Sequence, residues 1–209
     1  MSPRSDVLVI ATGHALSLAR LRGGAVLAEH HMALRAGHAE ALLPALAALV
    51  GENTAGIGAV VVETGPGSFT GLRVGLAAAR ALGLAWGVPV SGIGSAALVA
   101  AEARAAGAAE PLLVALAAPR GQVWLQDADA PAAEARALWP EAAAVVARAW
   151  CTSGGAVTGS AAQMLVGGSA RPETVPRAAA AAALDPAALG PPSPVYVRAP
   201  DAASAPAGG

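Results

Sequence analysis

Short apolar runs open the chain, and helical stripes follow them. Val7 to Ile10 is an apolar run that predicts a strand, and Ala11-Thr12-Gly13-His14 then turns. Ala15 to Arg20 and Ala25 to Glu29 read as second and third strands. Gly23-Gly24 between them is a hairpin signal, because glycine reaches the left-handed conformations that a tight turn needs. From His38 to Val50 the period changes. Leu42, Leu43, Leu46 and Leu49 line one face of a helix, with Pro44 inside it, so the helix start is left open. Gly56 to Glu63 carries Ile57 and Val60-Val61-Val62, an unbroken β-branched run that suits a strand covered on both faces. Thr64 to Gly71 is a loop. Thr70 is the expected N-cap of a helix from Gly71 to Trp86. Val88 to Val90 reads as a short strand and Ser95 to Ala106 as another helix.

Leu112 to Ala117 and Gln122 to Gln126 read as two strands joined by a hairpin at Ala118-Pro119-Arg120-Gly121. Ala130 to Ala149 is alanine-rich with few apolar anchors and specifies no element. Ala156 to Thr158 suits a short strand and Ala178 to Leu184 a helix. Beyond Pro191 the chain is rich in Pro, Ala and Gly, and residues 199–209 are expected to be disordered. No fixed-period repeat occurs. The order strand-strand-strand-helix-strand-helix, followed by a second strand pair, suggests a duplicated α/β fold.

Composition narrows the chemistry. Aromatic residues make up 3% of the 209-residue chain, so Ala, Leu and Val must supply the core. All basic residues are arginines, which excludes a Walker A lysine or a Schiff-base lysine. The formal net charge of −1 argues against autonomous grip on nucleic acid, which takes a basic patch. Cys151 is the single cysteine, so no disulfide forms within the chain. His14, His30, His31 and His38 show no metal-ligand spacing, and no metal or cofactor is expected. His30 and His31 read as solvated residues at a strand end, His14 as a turn residue, and His38 as a helix cap or partner contact. The polar N-terminus and the broken apolar stretches predict a cytoplasmic protein without a membrane span.

Gly65 to Gly75 reads GPGSFTGLRVG, a strand-to-helix handover rich in glycine and hydroxyls. Free N–H groups at Thr70, Gly71 and Leu72, with Arg73 in the first turn, could hold an anion. The same residues equally make a simple capped turn. GxxxxGK[ST] fails for want of a lysine. The nucleophile elbow GxSxG fails around Ser68, because Pro66 and Thr70 stand where its glycines belong. Further along, Gly71, Gly75, Ala79 and Gly83 recur every four residues and form a smooth ridge for close helix packing. The ridge could face either this chain or a partner.

The segment Gly65-Pro66-Gly67-Ser68-Phe69-Thr70-Gly71-Leu72-Arg73-Val74-Gly75 resembles the signature of the TsaB family, partners of the tRNA threonylcarbamoyltransferase TsaD. Leu8 to Thr12, His38 to Pro44, Gly92 to Ser95 and Pro194-Val195-Tyr196-Val197-Arg198 resemble family boxes in the same order. The resemblance implies an α/β actin/Hsp70-like (ASKHA, ribonuclease H-like) fold with two related lobes. Residues 1–108 would form the N-terminal lobe and 109–198 the C-terminal one. The short, alanine-rich stretch 127–190 leads us to expect a reduced second lobe. The implied function is that of a non-catalytic subunit that binds and activates TsaD for threonylcarbamoyl transfer to adenosine beside the anticodon. A P-loop ATPase of the TsaE type belongs to the assembly, and tRNA is met only indirectly. A homodimer of the isolated chain is a further expectation. The implied partner interface is His38, Leu42, Leu72, Gly75, Leu76, Ala79 and Gly83.

The chain departs from the family pattern at Ala11, where Asp is common, and at Ala117 and Pro119, where an Asp-Ala-Arg turn is usual. These losses count against the main rival, a nucleotide-binding enzyme of the sugar-kinase or actin type. A peptidase-like homologue, the other alternative, needs a metal or an activated nucleophile, and the sequence offers neither.

Overall fold

The structure is a computed structural model that describes residues 5–34, 37–51, 54–130, 132–167 and 174–197. β1 (Asp6–Ala11), β2 (Leu16–Arg22) and β3 (Ala25–Met32) form an antiparallel meander, and Gly23 and Gly24 both take positive φ in its second turn. α1 (His38–Val50) leads to β4 (Ile57–Gly65), which lies parallel to β1. α2 (Phe69–Trp86) leads to β5 (Val90–Gly94), parallel to β4. The strand order is β3-β2-β1-β4-β5.

α3 (Ser95–Ala105) carries the chain to a second sheet. There β6 (Leu112–Ala117), β7 (Val123–Asp127) and β8 (Arg136–Leu138) run antiparallel. α4 (Pro140–Thr152) follows, then β9 (Ala156–Thr158) parallel to β6, then α5 (Ala162–Val166). Both halves therefore use one order: three antiparallel strands, a helix, a parallel strand, a helix. The second copy is smaller, with four strands and a five-residue α5 against the 18 residues of α2.

Alternation within the strands sorts the core into layers. Leu8, Ile10, Leu16, Leu18, Val60 and Val62 face α1 and α2, meeting Leu42, Leu46, Leu76 and Ala79. Val9, Ala19, Val61 and Ile93 face the other way, toward Leu98 of α3 and Ala178. Ala96, Val99, Ala100 and Ala103 of α3 meet Val114, Leu116 and Trp124 of the second sheet. α3 is thus wedged between the sheets, and its buried positions are alanines together with Ser95, Leu98 and Val99. Each fully buried Leu or Ile contributes roughly 1.5–3 kcal/mol relative to exposure.

Several expectations need correction. α1 runs unbroken through Pro44, which is exposed like Glu40, the residue whose carbonyl the proline leaves without its usual helical donor. β3 extends through His30 and His31. Both are half-buried rather than solvated, and burial with the nearby Arg177 guanidinium pushes His31 below the usual imidazole range. β5 starts at Val90, not Val88. The alanine-rich stretch before 149 contains a true helix, α4, which buries only Ala143 and Ala147. Ala178–Ala183 winds as 3-10 turns rather than as an α-helix.

The reason for that last difference is tertiary. The segment is spread along the first sheet, with the Ala178 N–H donating to Ser17 Oγ at 2.9 Å and Arg177 paired with Glu29. Gly190 then pairs with Gly92 of the edge strand β5. Arg198 and the stretch 199–209 lie outside the described residues.

Candidate functional site

The chemistry-bearing segment sits where β1, β4 and β5 end. β4 finishes at Gly65, whose φ of 111° excludes an ordinary side chain, and a Cβ there would fall 2.8 Å from the Val195 carbonyl oxygen. Ser68, not Thr70, is the N-cap of α2, and its Oγ accepts from the Gly71 N–H at 3.3 Å. Two hydroxyl residues stood two positions apart, and the chain uses the earlier one.

Three glycines of the segment face the turn after β1. A Cβ on Gly67 would lie 2.8 Å from the Gly13 Cα. Gly71 and Gly75 lie so close to the Thr12 carbonyl and hydroxyl that a Cβ on either would overlap them. Thr12 Oγ1 donates to the Gly71 carbonyl at 2.8 Å, and the Ser68 N–H donates to the Gly13 carbonyl at 2.7 Å. The glycine spacing is therefore a docking surface for this chain's own first turn.

Glu63 is the residue that sequence reasoning missed. It ends the β-branched run of β4 and is fully buried. Its Oε2 accepts from the Gly13 N–H at 2.6 Å and its Oε1 accepts from Ser95 Oγ at 2.6 Å. One carboxylate thus ties the β1 turn to the start of α3. Its partners lie 50 and 32 positions away, so no local pattern could have marked it.

The anion reading of the loop does not hold as expected. The Gly71 N–H serves the Ser68 cap, and the Leu72 N–H donates to the Ser68 carbonyl. Arg73 is engaged by the aromatic side chains of Phe69 and Tyr196. Its guanidinium lies 3.7 Å from the centre of the Phe69 ring, and its Nε donates to the Tyr196 hydroxyl at 3.0 Å. Phe69 and Tyr196 stack at a tilt, 5.1 Å apart. The signature segment and the C-terminal Pro-x-Tyr box therefore meet, 123 positions apart in sequence. Pro66 offers its carbonyl to His14 Nε2 at 2.9 Å, and His14 meets Trp124 of the second sheet edge-on. Thr70 is exposed on α2. Among the described residues, no three His, Cys, Asp or Glu side chains gather as a metal centre requires.

The residues expected to face a partner are all buried in this chain: His38, Leu42, Leu72, Gly75, Leu76, Ala79 and Gly83. Gly75 packs on Thr12, and Gly83 packs on Val90. The small-residue ridge is internal, because the sheet and the Thr12 turn already occupy it. The same two helices present other apolar residues outward. Leu43 is 65% exposed and Leu84 is 87% exposed, flanked by exposed Ala47 and Ala48 on α1 and by Ala77, Ala81 and Ala85 on α2.

A family model described as TsaD, tRNA N6-adenosine threonylcarbamoyltransferase, matches residues 32–163. The chain is similar to the tRNA threonylcarbamoyladenosine biosynthesis protein TsaB of Bacillus subtilis, at 32% identity over 102 residues. That alignment takes in 47% of this chain and 44% of that protein. An uncharacterized protein of Mycobacterium tuberculosis is 49% identical over 59 residues, 27% of this chain and 28% of its own length. The chain thus spans less than half the length of the curated relatives it matches. The solved structure of YeaZ from Pseudomonas aeruginosa superposes with a TM-score of 0.71 at 24% identity, covering 92% of this chain and 99% of that one.

Proposed function

The chain belongs to the TsaD family, tRNA N6-adenosine threonylcarbamoyltransferase, and from that premise we propose that it is a non-catalytic partner subunit in the formation of tRNA threonylcarbamoyladenosine. Its fold is the two-lobed actin/Hsp70-like α/β class. In this reading it binds and activates a TsaD-like catalytic subunit. A P-loop ATPase of the TsaE type joins the assembly, and tRNA is gripped by other chains, as the net charge of −1 favours. The name of the Bacillus subtilis relative supports the pathway.

The observation that carries the partner role is the outer surface of α1 and α2. Both helices pack on one sheet face, and each exposes a leucine beside alanines, with one charged residue, Glu40 or Arg80, a turn away. Exposed apolar patches of that kind mark protein interfaces. The lack of independent catalysis is supported by the Thr12-Gly13 turn. The Gly13 N–H donates to Glu63 and the Thr12 hydroxyl donates to the Gly71 carbonyl, so these two donors are not free to hold a phosphate oxygen. Among the described residues, no helix is long and apolar enough to cross a membrane.

The test is light scattering after size-exclusion of this chain mixed with TsaD of the same organism. Wild type should form a stable complex. Leu84→Arg and Leu43→Glu should abolish it while leaving the circular dichroism and the melting temperature of the isolated chain unchanged. Absence of any wild-type complex at tens of micromolar overturns the reading.

A further inference from the structure

The chain that returns from the second lobe crosses the first sheet as a strap, on the face opposite α1 and α2. Two neighbouring residues pin its start. The Arg177 guanidinium pairs with Glu29 at 2.7 Å, and the Ala178 N–H donates to the buried Ser17 Oγ at 2.9 Å. Ala178 to Ala182 then cover Val9, Ala19, Val61 and Ile93.

His31 lies beside both pins. It stands directly opposite Ser17 in the β2–β3 pairing, and Glu29 is two residues before it on the same face of β3. The ring is half-buried, and its Nδ1 has no hydrogen-bond partner. Protonation makes both ring nitrogens donors, so a proton on Nδ1 would find no acceptor there.

The surrounding charges are mixed. Burial disfavours a charge on this ring, Arg177 repels one, Glu29 attracts one, and His30 adds repulsion. The balance holds the imidazole below its usual range. From α3, Glu102 lines the space beside Arg177 and Glu29. Glu29 cannot serve both cations fully, since Arg177 already holds it.

We propose that His31 is a proton-operated latch for this strap: neutral, it lets Arg177 and Ala178 close on the sheet, and protonated, it drives them off. The closed strap disfavours the charged ring, so the open strap takes up the proton more readily. Closure is therefore complete above the free imidazole value of about 6.5 and weakens as pH falls below it. Opening uncovers the apolar face that Ala178 to Ala182 shield. The latch does not depend on the partner-subunit reading.

The test is amide exchange of the full chain at about pH 7.5 and about pH 5.5, each corrected for the intrinsic rate at that pH. The Ala178 amide, bound to Ser17, and the Ala180 amide, bound to the Arg177 carbonyl, report on the strap. In wild type their protection should fall several-fold at the lower pH while that of Val60 to Val62 in β4 holds. His31→Gln should keep the strap protected at both pH values. His30→Gln, on the opposite face of β3, should retain the fall. If His31→Gln fails to fold, NMR titration of the wild-type His31 ring decides, since its midpoint must coincide with the loss of protection. Equal wild-type protection at the two pH values overturns the proposal. So does the same fall in His31→Gln, or a His31 midpoint away from the loss.

Discussion

Thr12 Oγ1 donates a hydrogen bond to the Gly71 carbonyl at 2.8 Å, and the helix that follows packs its glycines over the same turn. Gly75→Ala should therefore overpack the site and destabilise the chain by about 1–3 kcal/mol. Gly71→Ala should cost more, because its Cβ meets the Thr12 backbone carbonyl, which cannot rotate away. Combining Gly75→Ala with Thr12→Ala removes the hydroxyl the new methyl would strike. Urea denaturation should find the double variant less destabilised than the sum of the singles. Strict additivity would mean that Thr12 and Gly75 do not press on each other.

How far this was legible in the sequence depends on whether the partners are local. The β1–β3 meander, α1 and β4 follow from apolar runs and leucine spacing, and the structure agrees within a few residues. The glycines of α2 were visible as a ridge, but not which surface they met, since Thr12 lies 59 positions before Gly71. Leu43 and Leu84 looked like other leucines of their helices. Only the packing of Leu42, Leu46, Leu76 and Ala79 on the sheet turns them outward. α4 stayed hidden because Ala143 and Ala147 anchor it, and alanine carries almost no periodic signal among other alanines. The six alanines at 178–183 show the reverse: strong helix propensity yields to contacts with the first sheet.

Glu63 discriminates geometry from charge. Replaced by Gln, it can still accept from the Gly13 N–H and donate to Ser95 Oγ, whose hydroxyl rotates to suit. Glu63→Gln should cost about 1 kcal/mol or less, whereas Glu63→Ala strands two buried donors and should cost roughly 2–4 kcal/mol. Guanidinium unfolding of the pair checks this. Equal losses would show that the negative charge itself is what the turn requires.

Asp6 gives the fold an acid limit. It is fully buried, and hydrogen bonds from Arg22 and then Arg20 hold its carboxyl below the usual range, against the opposing effect of burial. A depressed carboxylate stabilises the folded state fully above its unfolded pKa of about 3.9. That contribution fades as pH falls through the lower folded value. Wild type should therefore lose stability below about pH 4. Asp6→Asn should be less stable than wild type at pH 7 and should lack this part of the acid decline. Melting curves from pH 3 to 7 test it, and parallel profiles for the two proteins would remove Asp6 from the account.

The last prediction concerns how the C-terminal segment is held. Arg73, Phe69 and Tyr196 form one partly exposed cluster, and the Val195 N–H donates to the Thr64 carbonyl beside it. A cation over an exposed ring is worth about 0.5–1 kcal/mol, so Arg73→Ala should leave the global melt almost unchanged. Its effect should instead be local, because the segment around Tyr196 has few other anchors. Amide exchange at Val195 to Val197 should quicken several-fold in Arg73→Ala. Tyr196→Phe, which keeps the ring stack and loses only the hydroxyl, should fall between the two. Arg73→Lys should behave nearly like Arg73→Ala, since lysine cannot match the planar stack and the directed Nε donor together. If exchange is the same in all four proteins, the Gly190–Gly92 pairing and the Val195 bond suffice to hold the segment, and the aromatic cluster is a passenger on it.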